Sequence, residues 1–176
     1  LYGISKLSGY HLVRNYREKK SLFAACGILY NHESPRRGIE FVTRKIAHGV
    51  AKISLGLQKH MTLGNLDVSR DWSYAPEVVA IVWKMLQVDT PDDYVICSGK
   101  LHTVREFVDI AFRSVGLSYQ EYVQFDQKFF REPEKVPLVG NPQKAERVLG
   151  WKPRKSFEDL VKELVDSEIQ KLKSSK

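Results

Sequence analysis

The chain has 176 residues, 43% of them hydrophobic and 28% charged, with a formal net charge of +7. That is enough for one domain with a real core or for part of a larger one. No apolar run is long enough to cross a bilayer and no charged-then-apolar leader opens the sequence, so a membrane partner and export are both unexpected and a cytoplasmic location is expected. The positive balance is compatible with nucleic acid, an anionic small ligand or a lopsided fragment. The basic residues form no tract interleaved with aromatics, which argues against nucleic acid. Lys171-Leu172-Lys173-Ser174-Ser175-Lys176 reads as a frayed, solvated tail. Cys26 and Cys97 fall in apolar runs and read as buried free thiols of a reducing compartment. No Cys/His cluster has ligand spacing, and no metal is expected.

In chain order, Ile4 to Lys19 reads as a helix whose apolar positions are spread round it, and so as one covered on more than one side. Leu22 to Tyr30 is a continuous apolar run, the pattern of a parallel strand buried on both faces. The segment Asn31-His32-Glu33-Ser34-Pro35-Arg36-Arg37-Gly38 follows as a loop. A helix is expected from about Ile39 to Leu55, with Phe41, Val42, Ile46, Val50 and Ile53 on one stripe and Gly56 as its stop. Met61 to Leu63 reads as a short strand before the Gly64-Asn65 turn. Arg70-Asp71-Trp72 sits in a loop, and Pro76 opens a helix to about Gln87 with Val78, Val79, Val82, Met85 and Leu86 as its apolar positions. Asp93 to Cys97 is another buried strand, closed by Ser98-Gly99. Thr103 and Glu106 form a capping box before a helix that stops at Gly116. Asn141-Pro142 starts a short helix to Leu149, and the last helix runs from about Ser156 with Phe157, Leu160, Val161, Leu164, Val165 and Ile169 at helical spacing. Alternating helices and strands make this an α/β chain.

Three groups of residues can carry chemistry. Tyr2 and Lys6 lie four apart, on one helix face. A cation beside a phenol favours the phenolate, and tyrosine, with a reference pKa near ~10, needs such help to take a proton near neutral pH. Tyr-x-x-x-Lys is a cheap pattern, however, and Tyr16 with Lys20 repeats it. The Asn31 to Gly38 segment follows a strand's carboxyl end, where open α/β sheets bind ligands. Its Arg36 and Arg37 are either solvated charges or, with Gly38 opening the next helix, a grip for phosphate. Arg70 beside Asp71, and the loop Phe130-Arg131-Glu132-Pro133-Glu134, have the same double reading: surface ion pairs, or an arginine held for an anion. Three such loops at element ends favour a phosphorylated ligand. No Gly-rich dinucleotide fingerprint, P-loop, G-x-S-x-G elbow or H-E-x-x-H occurs.

Together these residues resemble the GDP-mannose 4,6-dehydratases, a family of extended short-chain dehydrogenase/reductases that modify nucleotide sugars. The resemblance runs from Tyr2 to the last helix and corresponds to the carboxyl-terminal half of such an enzyme. It rests on Asn31 to Gly38 with Phe41-Val42-Thr43-Arg44-Lys45, on Leu63-Gly64-Asn65 with Arg70-Asp71-Trp72, and on Gly140-Asn141-Pro142 with Lys144-Ala145 and Leu149-Gly150-Trp151-Lys152-Pro153. The family's usual Pro before the Tyr is Leu1 here, its Gly after Arg-Asp-Trp is Ser73, its Asp before Pro142 is Asn141, and its Phe-Arg-Pro-x-Glu-Val reads Phe130 to Lys135.

The resemblance implies an NAD(P)-binding Rossmann-like fold with a smaller mixed α/β substrate domain. Residues 1–33 and about 73–98 would be the remainder of the Rossmann-like part. Residues from about 34 to 72 and from 99 to 173 would form the nucleotide-sugar region, with the amino-terminal dinucleotide-binding half absent. It further implies NADP as cofactor, GDP-mannose as substrate and a homodimer or homotetramer with the Tyr2 helix near an interface. Tyr2 would be the base that deprotonates the four-position hydroxyl, with Lys6 as its partner, also binding the nicotinamide ribose. Tyr2, Lys6, His32 and Arg37 would contact the cofactor. Asn31, Val42, Lys45, Arg70, Arg131 and Glu134 would hold the GDP part, Arg70 and Arg131 at the diphosphate and Glu134 at ribose hydroxyls. The product would be GDP-4-keto-6-deoxymannose, a precursor in GDP-fucose formation. The glycine fingerprint that binds the cofactor phosphates, the family's Ser/Thr and its eliminating Glu have no counterpart in these 176 residues, so the chain alone is expected neither to bind NADP tightly nor to turn over, and its strand edges are expected to be sticky. The rival readings are a related nucleotide-sugar reductase or epimerase, and a non-catalytic GDP-binding or oligomer-forming remnant.

Overall fold

The computed structural model describes residues 1–126, 128 and 136–174. The element order is α1 (Tyr2–Lys20), β1 (Cys26–Leu29), β2 (Asn31–Glu33), α2 (Val42–Ser54), β3 (Met61–Leu63), β4 (Ser69–Arg70), β5 (Trp72–Tyr74), α3 (Ala75–Lys84), β6 (Asp93–Ile96), β7 (His102–Thr103), α4 (Val104–Arg113), α5 (Tyr119–Tyr122), β8 (Val123–Phe125), α6 (Gln143–Leu149) and α7 (Phe157–Ser174). Among the described residues the strands pair two by two. β1–β6, β2–β5 and β3–β8 are parallel, and β4–β7 is antiparallel.

Tyr30 is where the chain changes partner. Its N–H still bonds the Ile96 carbonyl of β6 at 3.0 Å, and the next residue, Asn31, is already in register with Trp72 of β5. The start of the Asn31 to Gly38 segment is therefore a strand rather than a loop. Likewise Arg70-Asp71-Trp72 is not a loop: Arg70 ends β4 and Trp72 begins β5. Short strands of two or three residues carry no legible alternation, which is why both were read as loops.

Two apolar cores result. The larger joins α2, α4 and α7 to β3 and β5. It includes Ile46, Val50, Trp72, Phe107, Phe112, Leu160 and Val165. Trp72 and Phe157 stack with ring centroids 5.7 Å apart, and Phe107 meets both edge-on or tilted. The smaller lies between α3, β6 and α6 and holds Val78, Ile81, Met85, Tyr94, Ile96, Leu149 and Trp151. The Thr103–Glu106 capping box is formed in both directions, with the Glu106 N–H to Thr103 Oγ1 at 3.0 Å and the Thr103 N–H to Glu106 Oε2 at 2.6 Å. Gly56 and Gly116 follow α2 and α4 in the left-handed conformation, where the stops were expected.

Several expectations about burial fail. The paired strand is Cys26–Leu29, shorter than the apolar run, and it is open: Ile28 is 45% exposed and Leu29 43%. Tyr94 and Ile96 of β6 are covered by α3 and α6, but β1 has β6 as its sole strand partner among the described residues. α1 buries no residue at all, although it was expected to be covered on more than one side. Arg17 ties it to the sheet: its guanidinium makes a forked bond to Asp93 at 2.7 and 3.0 Å and reaches the Ala24 carbonyl at 3.1 Å. α3 ends at Lys84, three residues before the expected Gln87, and of its expected apolar positions Val79, Val82 and Leu86 are exposed, as is Trp83. Phe41 and Val42, at the start of the expected apolar stripe of α2, are also exposed. An apolar run reports affinity for burial; the partner that would bury it must come from elsewhere in the fold.

Cys97 is buried and Cys26 half-buried, both free thiols. Burial pushes the Cys97 thiol up to about 12, so it is a packing residue rather than a nucleophile. No helix among the described residues is long and apolar enough to cross a membrane.

Candidate functional site

Of the candidate residues, Asn31 and His32 lie in the parallel β2–β5 pair and Arg70 in the antiparallel β4–β7 pair. β2 brings Asn31 and His32 alongside Trp72 and Ser73 of β5, and Ser73 Oγ donates to the Asn31 carbonyl at 3.2 Å. His32 Nδ1 lies 3.2 Å from the Tyr30 carbonyl. Arg70 lies opposite His102 across the β4–β7 pair, and its Nη1 donates to the Ser69 carbonyl at 2.8 Å.

The expectation that Asp71 holds Arg70 is overturned. Asp71 is fully buried, and its carboxylate is spent on four donors: the Ser98 N–H at 2.7 Å, the Ser98 hydroxyl at 2.6 Å, the Gly99 N–H at 3.0 Å and the Gly140 N–H at 3.2 Å. It staples the end of β6 and the segment before α6 to the β4–β5 junction. Gly140 is required there. A Cβ at that position would lie 2.5 Å from Cys97 Sγ and 2.9 Å from the Tyr30 ring, inside van der Waals contact.

After β2 the chain turns through Ser34 to Arg37, with the Arg37 N–H bonded to the Ser34 carbonyl at 2.9 Å. The Arg37 guanidinium packs on the Phe41 ring, 3.5 Å from its centroid. Its Nε is buried without a hydrogen-bond partner, though it lies 3.5 Å from Glu33 Oε2. Val42 and Lys45 are both exposed and lie three apart at the start of α2, hence on one face. Thr43 points the other way and donates to Glu33 Oε2 at 2.6 Å, so the Thr43-Arg44-Lys45 trio does divide between core and surface. Tyr2 and Lys6 sit side by side on α1, with Nζ 5.3 Å from the ring centroid. Arg17 pins the far end of that helix, about 22 Å along the axis from Tyr2 at 1.5 Å per residue. Arg131 and Glu134 lie outside the described residues, as does most of the Phe130 to Glu134 loop.

Two buried carboxylates flank the turn, and sequence reasoning gave neither a role. Glu33 is pushed up by burial, against the opposing pull of the Thr43 hydrogen bond and the Arg37 and His32 charges. Glu168 on α7 is also pushed up by burial, but hydrogen bonds from Lys171 and His48 and the charges of Lys171 and Arg44 outweigh this and leave it below its ordinary value of 4.5. The two therefore act oppositely on stability. Glu33, raised in the folded state, makes folding less favourable as pH rises through its folded pKa. Glu168, depressed in the folded state, contributes stability that is present above its unfolded pKa and lost as pH falls through the folded one. The stability difference between the chain and its Glu168→Gln variant is thus expected to shrink as pH is lowered from about 7 to below about 4 in parallel denaturation curves. A difference that stays constant over that range would contradict the assignment.

The paired parallel strands with a helical layer over β3 and β5 make a mixed α/β fold that solved structures share. The RMD protein of Pseudomonas aeruginosa, solved with NADPH, superposes with a TM-score of 0.88 at 22% identity, covering 97% of this chain and 56% of that one. A dTDP-glucose 4,6-dehydratase from Bacillus anthracis, solved with NAD, gives 0.81 at 18% identity, over 98% and 53%. The chain belongs to the GDP-mannose 4,6-dehydratase family, whose model matches residues 1–164. It is 49% identical over 175 residues to GDP-mannose 4,6 dehydratase 2 of Arabidopsis thaliana, covering 99% of this chain and 47% of that protein. It is 43% identical over 191 residues to GDP-mannose 4,6 dehydratase of Homo sapiens, covering 99% and 51%. The chain thus spans about half the length of the curated relatives it matches.

Proposed function

We propose that this chain supplies the catalytic tyrosine and the nucleotide-sugar-binding part of a GDP-mannose 4,6-dehydratase, a cytoplasmic homo-oligomeric enzyme whose product is GDP-4-keto-6-deoxymannose. The observation that carries the reading is the family match across residues 1–164, which takes in Tyr2, Lys6 and the whole Asn31 to Gly38 segment. In this reading residues 1–33 and about 73–98 belong to the dinucleotide layer, and about 34–72 with 99–173 to the sugar-nucleotide side. Two separate apolar cores support that division, although α6 packs with the first part, against β6 and α3.

The cofactor in this reading is NADP. The residues present fit it: the Arg37 Nε–H is a buried donor without a hydrogen-bond partner, and Lys6 stands against the Tyr2 ring. Tyr2, Lys6, His32 and Arg37 would hold it, and when bound it supplies the site that accepts hydride from the sugar and returns it. The chain's own residues do the rest. The Tyr2 phenol takes the proton of the four-position hydroxyl, helped by the neighbouring ammonium of Lys6. Asn31, Val42 and Lys45 line the nucleotide side. Arg70 suits the diphosphate by its charge and forked geometry, and the resemblance gives Arg131 the same role and Glu134 the ribose hydroxyls.

The full-length gene product incubated with GDP-mannose and NADP is expected to yield a 4-keto sugar nucleotide with no net consumption of cofactor, followed by NMR of the sugar protons. Recovery of unchanged GDP-mannose would overturn the assignment, and a C4 epimer would overturn it in favour of the epimerase reading; the reductase reading would be favoured instead by oxidation of added NADPH against a 4-keto sugar nucleotide with no reaction of GDP-mannose itself.

A further inference from the structure

We propose that Glu168, near the end of the last helix, is a positioning residue for the Ser34 to Gly38 turn, acting on it through Arg44 and Lys171; the functional meaning of this clamp rests on the reading of Arg37 as a cofactor contact. Glu168 is 3% exposed. A carboxylate is costly to bury, and apolar residues of similar size would stabilise a helix interface at least as well. α7 already has such a face in Leu160, Val161, Leu164 and Val165. Packing therefore does not account for a glutamate at this position.

Its partners do. Glu168 Oε1 accepts from Arg44 Nε at 3.1 Å and from Lys171 Nζ at 2.8 Å, and Oε2 faces His48 Nδ1 at 2.8 Å. Both cations reach onward to the turn's backbone. Arg44 Nη1 donates to the Arg37 carbonyl, and Lys171 Nζ donates to the Pro35 carbonyl at 2.8 Å. The turn lies beyond the last paired residue of β2, so the Pro35 and Arg37 carbonyls have no ladder partner, and these two side chains satisfy them. One carboxylate thus fixes two cations, and the two cations fix the two carbonyls that bracket Arg36 and Arg37. With its N–H on Ser34 and its guanidinium on Phe41, Arg37 is constrained at three points. Glu168 and Lys171 lie beyond residue 164, outside the part of the chain that the family model matches.

The test uses the full-length gene product without bound cofactor. NADPH affinity is measured by fluorescence titration, GDP affinity by calorimetry, and amide exchange is followed at Arg36, Arg37 and Gly38, for Glu168→Gln, Lys171→Met and Arg37→Ala. Glu168→Gln and Lys171→Met are each expected to weaken NADPH binding about five- to tenfold, the usual scale of coupling between contacting groups, and to change GDP affinity by less than about twofold. Both are expected to speed exchange at the three amides. Lys171→Met keeps the Arg44 and His48 contacts to Glu168, so it reports on the turn even if Glu168→Gln folds poorly. The clamp is overturned if exchange at these amides is unchanged in both variants, or if NADPH and GDP binding weaken equally, which would mark a general packing role. If Arg37→Ala leaves NADPH affinity intact while exchange responds as expected, the clamp stands and the cofactor reading of Arg37 is what fails. If Arg37→Ala weakens binding and neither clamp variant does, the clamp is wrong and that reading survives.

Discussion

Tyr2→Phe in the full-length enzyme is expected to lower kcat by about 10²–10⁴, the usual contribution of a positioned general base. That corresponds to about 3–5 kcal/mol of transition-state stabilisation at 1.36 kcal/mol per tenfold. The KM for GDP-mannose should stay within about twofold, because the lost interaction is a proton transfer made only in the transition state. Phenylalanine keeps the ring that Lys6 faces at 5.3 Å, so the helix surface and its cation–π contact survive. Lys6→Met should behave differently, lowering kcat and cofactor affinity together, since the reading gives that ammonium two roles. The chain contains its own comparison. Tyr16 and Lys20 have the same spacing on the same helix, and Tyr16 is exposed. Tyr16 lies on the turn next to Arg17, which ties α1 to Asp93, far from the Tyr2 end. Tyr16→Phe should leave the steady-state rate at the wild-type level. Equal losses from Tyr2→Phe and Tyr16→Phe would show that the helix needs hydroxyls for stability, and would remove the catalytic assignment of Tyr2.

The contrast between those two tyrosines shows what was legible in the sequence. Local rules wrote the helices plainly: the Thr103–Glu106 capping box, Pro76 in the first turn of α3, and the glycines after α2 and α4 all act as their residue types require. The stretch Asn31 to Gly38 was identifiable because its residue types are poor packing material yet follow an apolar strand. Its partition between strand and turn was not identifiable, because pairing of Asn31 with Trp72 joins residues 41 apart and leaves no periodic trace. Glu168 illustrates the same limit from the helix side. A glutamate on an amphipathic helix ordinarily faces water, and nothing nearby in sequence announces that Arg44 and His48, more than a hundred residues earlier, will meet it. Side chains whose work is to join distant segments are the ones that single-residue reasoning assigns to the wrong neighbour.

Asp71 is the clearest such case, and its replacement is expected to have the largest effect on stability. Adjacent to Arg70 in sequence, it reads as that arginine's counter-ion; in the fold it accepts three backbone N–H groups and one hydroxyl from Ser98, Gly99 and Gly140. Asp71→Ala would strand those donors in a fully buried place, at about 1–3 kcal/mol for each one that water cannot reach. A net loss of about 3–5 kcal/mol is expected, the sum for about two stranded donors at that cost. For a domain with a total stability of about 5–15 kcal/mol this is a large fraction. It should lower the urea midpoint by about 1–2.5 M for a slope of roughly 2–3 kcal/mol per molar. Asp71→Asn separates shape from chemistry. It fills the same space and keeps one acceptor oxygen, but its amide nitrogen would confront donors with a donor. On Oδ2 the conflict falls on Gly99 and Gly140, and on Oδ1 it falls on Ser98. Since Gly99 holds a φ of +74° and Gly140 has no room for a Cβ beside Cys97, neither segment can shift cheaply to escape it. Asp71→Asn should therefore lie nearer to Asp71→Ala than to the wild type in denaturation. Indistinguishable curves for Asp71→Asn and the wild type would mean that packing alone, and not the carboxylate, joins these three segments.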